Sequence, residues 1–332
     1  MKAPLADLPA KRAPKKETAV KDRTYAYHES VLVAETLRCL APALGKVIVD
    51  GTLGGGGHAA QLVAAGARVI GLDHDPEAIA HARKLLPDAG ESFVAVRSSF
   101  TKLGEVLDTL GIERIDGGLL DLGVSSRQID EPSRGFSFNK DGPLDMRMDP
   151  SAPVSAADLV NVMSAEQLER IFRNFGEEPA ARRIAARIVR DRMAKPFTTT
   201  LELAEAVESV VPRRGKTHPA TRVFQALRMA VNRELEALAE GLEQFTRRLA
   251  PGGRLAVITF HSLEDRVVKT FFKARSAQWI DRPEWPAARP NPDCIFKQIT
   301  GKPIVASALE QQENPRSRSA KLRTVERIPY AR

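Results

Sequence analysis

Val47-Ile48-Val49-Asp50-Gly51-Thr52-Leu53-Gly54-Gly55-Gly56-Gly57-His58 is the stretch whose reading decides the fold. Three β-branched residues end in an acid, and five glycines then fall within seven positions. A run of helical composition follows, Ala59-Ala60-Gln61-Leu62-Val63-Ala64-Ala65, closed by Gly66. Strand, glycine turn and helix in that order make the first half of a nucleotide-binding βαβ unit. Glycine lets the backbone pass through positive φ there, and a ligand can approach with no Cβ in the way. The second strand, Arg68-Val69-Ile70-Gly71-Leu72, ends in Asp73, 23 positions after Asp50. That is close to the roughly 20-residue offset at which a carboxylate meets ribose hydroxyls.

The glycines alone leave the nucleotide open, because Gly54, Gly56 and Ala59 also fit a dehydrogenase fingerprint. Asp50 discriminates. A carboxylate on the strand side of the turn repels a pyrophosphate and suits a cationic group. S-adenosylmethionine carries an ammonium and a sulfonium and no phosphate, so the turn points to a methyltransferase.

The alternation continues on either side. A helix is expected over residues 30–40, before the first strand, and another from Asp75-Pro76 to about 86. Strand three spans 92–97, with Phe100 just past its end, where it can face an adenine or pack in the core. Strand four spans 115–120 and runs into Asp121-Leu122-Gly123-Val124-Ser125-Ser126. From 128 to 150 no periodicity is visible, and a run of that length is functional or disordered. Two Phe and two Met within it argue for order. Helices then follow over 156–162, 165–175, 179–193 and 201–210, forming a helical insert between strands four and five. One long helix over 220–249 returns to strand five at 254–260, and two final strands fall at 294–300 and 322–328. The predicted architecture is an α/β, Rossmann-like sheet with a helical insert.

With 332 residues, 43% hydrophobic and 28% charged, the chain has the composition of a soluble globular protein of one large or two ordinary domains. The formal charge of +8 suggests an acidic partner, most simply nucleic acid. Lys11, Arg12, Lys15 and Lys16 sit in a tail over 1–24 that reads as disordered. Cys39 and Cys294 lie far apart, and the six histidines form no His-Glu-x-x-His, so no metal site is expected. No stretch reaches the roughly 18 apolar residues of a membrane helix, and there is no apolar signal core. A cytoplasmic protein is the expectation.

Six blocks in one order carry a closer resemblance: the glycine turn through His58; Asp121-Leu122-Gly123-Val124-Ser125-Ser126; Gly135-Phe136-Ser137-Phe138; Pro143-Leu144-Asp145-Met146-Arg147-Met148-Asp149; His218-Pro219-Ala220-Thr221-Arg222; and Phe260-His261-Ser262-Leu263-Glu264-Asp265-Arg266. Over about 25–327 the chain resembles the bacterial small-subunit (16S) rRNA (cytosine-N4)-methyltransferase family. The resemblance implies a class I S-adenosylmethionine fold, with domain segments 25–128 and 216–332 around a substrate-recognition insert at 129–215. It implies methylation of the exocyclic amine of a decoding-centre cytidine in 16S rRNA within the small ribosomal subunit. The cofactor contacts it carries over are Gly56, Gly57, His58, Asp73, Phe100, Asp121 and Gln128.

The cytosine amine shares its lone pair with the ring, so acceptors on its N–H groups help to localise it. The Pro-Pro-aromatic motif many amino-methyltransferases use after strand four is absent here, which leaves Asp121 chiefly a cofactor contact. His261 and Asp265, after strand five, are the catalytic candidates, with a hydrogen-bonded turn as the other reading of His261. Arg147, His218 and Arg222 are expected to bind substrate or dock the insert. Arg183, Arg187 and Arg190 share a helix face that can meet RNA phosphates or simply face solvent. Against the methyltransferase stand a dehydrogenase, a non-catalytic RNA binder and a DNA amino-methyltransferase.

Overall fold

The computed structural model describes residues 30–213, 215 and 218–329. The basic tail over 1–24, together with Arg214 and Lys216, lies outside the described residues.

The strands are β1 (Val47–Asp50), β2 (Arg68–Asp73), β3 (Phe93–Arg97), β4 (Ile115–Asp121), β5 (Leu249–Thr259), β6 (Trp279–Ile280), β7 (Arg289–Pro290), β8 (Phe296–Gln298), β9 (Ile304–Val305) and β10 (Lys321–Arg327). The main sheet runs β3-β2-β1-β4-β5-β10-β8, with β9 also on β10, while β6 and β7 pair separately. Strands β1 to β5 are mutually parallel where they pair, and β10 enters antiparallel to β5. The order reverses at β1 and β4, and a crevice opens at such a switch point. Val-Ile-Val in β1 is covered on both faces, as a central parallel strand must be.

The helices are α1 (Val33–Leu40), α2 (Gly57–Ala64), α3 (Pro76–Leu85), α4 (Leu103–Thr109), α5 (Ser126–Asp130), α6 (Ala156–Val162), α7 (Ala165–Asn174), α8 (Ala181–Asp191), α9 (Thr200–Glu208), α10 (Ala220–Val231), α11 (Glu234–Arg248), α12 (Ser262–Ser276) and α13 (Ala308–Glu313). Two apolar clusters cover the sheet faces, one around Leu32, Leu62 and Leu322, the other around Leu107, Phe245 and Phe296. A third core lies among α6 to α10 and also takes in Leu144 and Met146. Three of these helices begin with reciprocal capping boxes, Ser155 with Asp158, Ser164 with Gln167, and Thr199 with Glu202. Among the described residues no helix is long and apolar enough to cross a membrane.

Three sequence expectations change. The long helix over 220–249 is two helices, broken at Asn232 and at Arg233, whose φ is 48°. No Gly or Pro marks the break. It is held by Asn232, whose Nδ2 donates to the carbonyls of Arg228 and Met146, both at 2.8 Å, and whose Oδ1 accepts from Met148 N at 2.8 Å. The stretch over 128–150 is ordered, in line with its two Phe and two Met, and holds a helical turn at Pro132–Arg134. Strand five starts earlier, at Leu249, and the strand expected over 294–300 keeps only Phe296–Gln298.

Candidate active site

The carboxyl ends of β1, β2 and β4 meet at one edge of the sheet, and each ends in an acid: Asp50, Asp73 and Asp121. Between them the glycine turn bends through Gly54 at φ 51° and Gly56 at φ 85°. Asp73 clamps this turn, its Oδ2 accepting from Gly54 N and its Oδ1 from Asp75 N, each at 2.9 Å. Asp50 Oδ1 accepts from Thr52 N at 3.2 Å, and Asp121 N donates to Thr52 Oγ1 at 2.6 Å. Leu53 folds back over Gly71, where a Cβ would come within 2.6 Å of its Cδ1. The turn is thereby pinned to all three strands.

The cavity above it is lined by Gly51 to Gly55, Gly57, His58, Asp73, Phe100, Asp121, Gln128, Asn232, Glu234, Phe260 and Glu264, among others. No Lys or Arg lines it among the described residues. Burial pushes the Asp50 carboxyl up to about 7, against the Thr52 N–H, with Asp73 adding to the rise. Burial raises Asp121 well above the usual carboxylate range, reinforced by Asp50 and Glu264. Asp73 is raised too, again chiefly by burial. Asp121 Oδ1 is buried with no hydrogen-bond partner. Its other oxygen lies 3.7 Å from Nδ1 of His58, whose Nε2 meets the Val31 carbonyl at 3.0 Å. Buried carboxylates without a cation are costly, and a bound cation relieves them. A sulfonium and an ammonium fit this cavity; a pyrophosphate does not.

Six of the seven residues expected at the cofactor line the cavity; Gly56 does not. It forms the corner of the turn, where a Cβ would stand 3.1 Å from that of Ala82. Gln128 is held by Ser125 N, which donates to its Oε1 at 3.0 Å, and its Nε2 donates to Asp75 Oδ2 at 3.3 Å.

Beyond Val124 and Phe260, which belong to both walls, a second cavity opens toward the helices. Phe136, Phe138, His218, Arg228 and His261 line it. Phe138 packs against His218 and Phe224 at centroid distances of 4.6 and 4.8 Å. His261 is the N-cap of α12, in a capping box with Glu264, and its Nε2 lies 3.0 Å from Glu264 Oε1. Glu264, only 2% exposed, accepts from Phe260 N at 2.9 Å. Burial works against its charge, but His261, Arg228 and that N–H hold it below the usual range.

Asp265 is not in the site. Both its oxygens accept from Arg323, at 2.7 and 3.2 Å, and Lys321 Nζ lies 3.6 Å away, so it anchors α12 to β10. Arg147 and Arg222 line neither cavity. Arg147 is forked onto Asp145 at 2.9 and 2.6 Å, and Arg222 donates to the Glu177 carbonyl at 3.2 Å. Both make these contacts within the helical part.

Sequence reasoning misses Glu264, Glu234, Arg228, Asn232 and Phe260. Glu264 has a signal, the N-cap-to-N3 spacing from His261. Glu234 and Arg228 have none, because periodicity gives one long helix where the break at Asn232 turns both inward. Glu234, His261 and Glu264 place ligand atoms within 4.8 Å of one another. Arg228 already supplies the cation there, forked onto Glu234 at 2.7 and 2.8 Å.

A Rossmann-like sheet with an acidic, cation-accepting cavity at its switch point defines an S-adenosylmethionine-dependent methyltransferase. Comparison with known proteins narrows the class. Residues 25–328 match the MraW methylase family, and the chain belongs to it. Ribosomal RNA small subunit methyltransferase H of Carboxydothermus hydrogenoformans is 48% identical over 307 residues, 92% of this chain and 99% of that protein. The protein of the same name from Geotalea uraniireducens is 50% identical over 314 residues, 91% of this chain and 99% of that one. An rRNA methylase structure from Streptococcus thermophilus is a distant likeness, with a TM-score of 0.41 and 13% identity over 89% of this chain and 95% of that one.

Proposed function

We propose that this chain transfers a methyl group to the exocyclic N4 amine of a cytidine in 16S rRNA, acting in the cytoplasm on the small ribosomal subunit. The observation that carries the reading is the pair of cavities meeting at Val124 and Phe260. The first is acidic and suits a sulfonium; the second is aromatic and large enough in outline to admit a base drawn out of its stack. The names of the relatives supply the small-subunit rRNA. Residues 129–215 serve as the substrate-recognition insert, with the cofactor half on either side.

Asp73, Asp121, His58, Phe100 and Gln128 hold S-adenosylmethionine, which supplies an already activated methyl group. The protein's remaining work is positioning and charge. Phe260 orients the base at the boundary. His261 receives the proton the amine loses as its N–C bond forms, and Glu264 beside the ring stabilises the resulting charge.

The test is transfer of tritiated methyl to small-subunit particles, protein-free rRNA and DNA side by side, followed by nucleoside chromatography. N4-methylcytidine from the rRNA is expected. Label in another nucleoside, or in DNA alone, overturns the reading. His261→Ala is expected to lower single-turnover transfer while cofactor affinity by calorimetry stays near wild type.

A further inference from the structure

Arg228 and Glu234 stand on the two sides of the break between α10 and α11. The pair is almost closed to solvent, with side-chain exposures of 16% and 10%. Nε and Nη2 of Arg228 take the two oxygens of Glu234 at 2.7 and 2.8 Å, and no acceptor among the described residues takes Nη1. The carboxylate is on the cofactor side, in the wall of the first cavity, and the guanidinium is in the wall of the second. A buried pair with an unfilled donor, at the seam of two cavities, is poorly explained as packing alone, since similar-sized apolar residues fill such places at no loss of stability.

The pair presents an acceptor next to donors, in that order away from the cofactor. Cytosine presents the complement: an N4–H donor, then acceptors at N3 and O2. Uracil presents O4 and N3–H at the first two positions, so an acceptor would face the carboxylate and a donor the guanidinium. Guanine reads cytosine by the same sequence of groups. We propose that the Arg228–Glu234 pair imitates a guanine edge and selects cytosine, Glu234 accepting from the amine and Arg228 Nη1 donating to N3. The inference rests on the cytidine reading above and assigns the base selectivity within it. It also places the amine, held by its N–H, on the side where the methyl group arrives.

The experiment uses a small-subunit rRNA substrate carrying cytidine, 3-deazacytidine or the amine-free analogue zebularine at the methylated position, with wild type, Arg228→Gln, Arg228→Lys and Glu234→Gln. Single-turnover rates are read for the first two substrates and competitive binding for the third, with the urea unfolding midpoint measured throughout as the check on folding. Replacing N3 by C–H should slow the wild type roughly 10- to 150-fold, the range of one hydrogen bond to a charged group. Arg228→Gln should be slow on cytidine and nearly indifferent to the 3-deaza change, and Arg228→Lys should recover part of the sensitivity. Zebularine should bind the wild type more weakly than cytidine and bind Glu234→Gln about as well as cytidine does. If the 3-deaza penalty is the same in wild type and Arg228→Gln, the pair does not read the base. If the wild type leaves the cytidine unmethylated, the cytidine reading itself falls.

Discussion

The two cavities are built in opposite ways. The cofactor cavity is made of strand ends and the turn between them, so its groups lie within a few residues of their neighbours in sequence. Asp50, Thr52, Gly54 and Asp73 form one hydrogen-bonded unit from a single βαβ segment. The second cavity gathers Phe138, His218, Arg228 and His261 from four places in the chain, and tertiary packing alone brings them together. The charge follows the same division. Asp50 and Asp121 lie buried in a cofactor cavity that no Lys or Arg lines among the described residues, whereas the acids at the seam, Glu234 and Glu264, are matched by Arg228 and His261 from the second cavity. A cationic ligand is expected where charge is left over, and a neutral base where it is balanced.

The largest test of this division is Arg134, which joins the two regions. Its Nη1 donates to Asp75 Oδ2 at 2.8 Å, and its Nη2 donates to the carbonyls of Arg147 and Met148 at 3.1 and 2.9 Å. Asp75 is 2% exposed. Removing one partner of a buried pair leaves an uncompensated charge and costs about 3–5 kcal/mol. Arg134→Met is expected to lower the unfolding free energy in urea by that amount and to weaken cofactor binding with it, since Met148 lines the first cavity. Unchanged cofactor affinity would show that residues 135–149 serve the second cavity alone.

Protonation gives the next effect. With Asp50 pushed from 3.8 to about 7, its ionisation in the folded, cofactor-free protein is resisted. A raised folded value means stability fully present below about pH 4 and lost as pH climbs to about 7, on the order of 4 kcal/mol. Asp121 and Asp73 shift in the same direction. A cation favours the ionised forms, so cofactor binding should release protons and tighten as pH rises from about 6 to 8. Calorimetry in buffers of different ionisation enthalpy reads the release directly. Asp50→Asn should flatten the pH dependence, and no change in it would assign the proton to another group.

Packing comes third. A Cβ on Gly241 of α11 would overlap the ring of Phe100, which lines the cofactor cavity. Overpacking costs typically 1–3 kcal/mol. Gly241→Ala should raise the Kd for S-adenosylhomocysteine while leaving the near-ultraviolet signal of the helical core intact. An undisturbed Kd would mean that Phe100 yields without loss and contributes little to the cofactor.

The same contrast decides which parts of the molecule are legible in its sequence. Strands one to five, and the acids that end the first, second and fourth, can be read because period, glycine punctuation and acid spacing are local signals. Six of the seven residues that the resemblance carries over to the cofactor line the cavity these local signals place. Gly56 is the exception, because a fingerprint does not say which glycine faces the ligand and which turns the corner. Arg147, Arg222 and Asp265 stand in distinctive blocks as charged residues and so suggest a ligand, yet Arg147 and Asp265 spend their charge on neighbours and Arg222 lines neither cavity. The break at Asn232 is invisible in the sequence because a side chain makes it, through bonds to residues more than 80 positions away. Without that break the Arg228–Glu234 pair has no address in the sequence.

The smallest expected effect concerns the arginine face of α8. Arg187 and Arg190 both direct their Nε to Asp191, Arg190 at 3.2 Å, whereas Arg183 is exposed and meets no acceptor among the described residues. Burial opposes the Asp191 charge, but these two arginines keep its carboxyl below the usual range. The face therefore offers RNA less positive charge than its three arginines suggest, and the three are not equivalent. Each phosphate that a variant no longer neutralises should reduce the slope of log affinity against log salt by roughly 0.7–0.9. Arg183→Gln should show that reduction in full if the face meets RNA, and Arg187→Gln little of it, because Asp191 already engages that guanidinium. Glutamine keeps helix propensity nearly intact, so cofactor binding should survive both changes. RNA affinity measured at several salt concentrations separates the cases. Equal reductions would mean that Asp191 gives up its arginines when phosphate arrives. Parallel plots for both variants would leave the face merely solvated and put the RNA along the second cavity, on the side of Arg213 and His218.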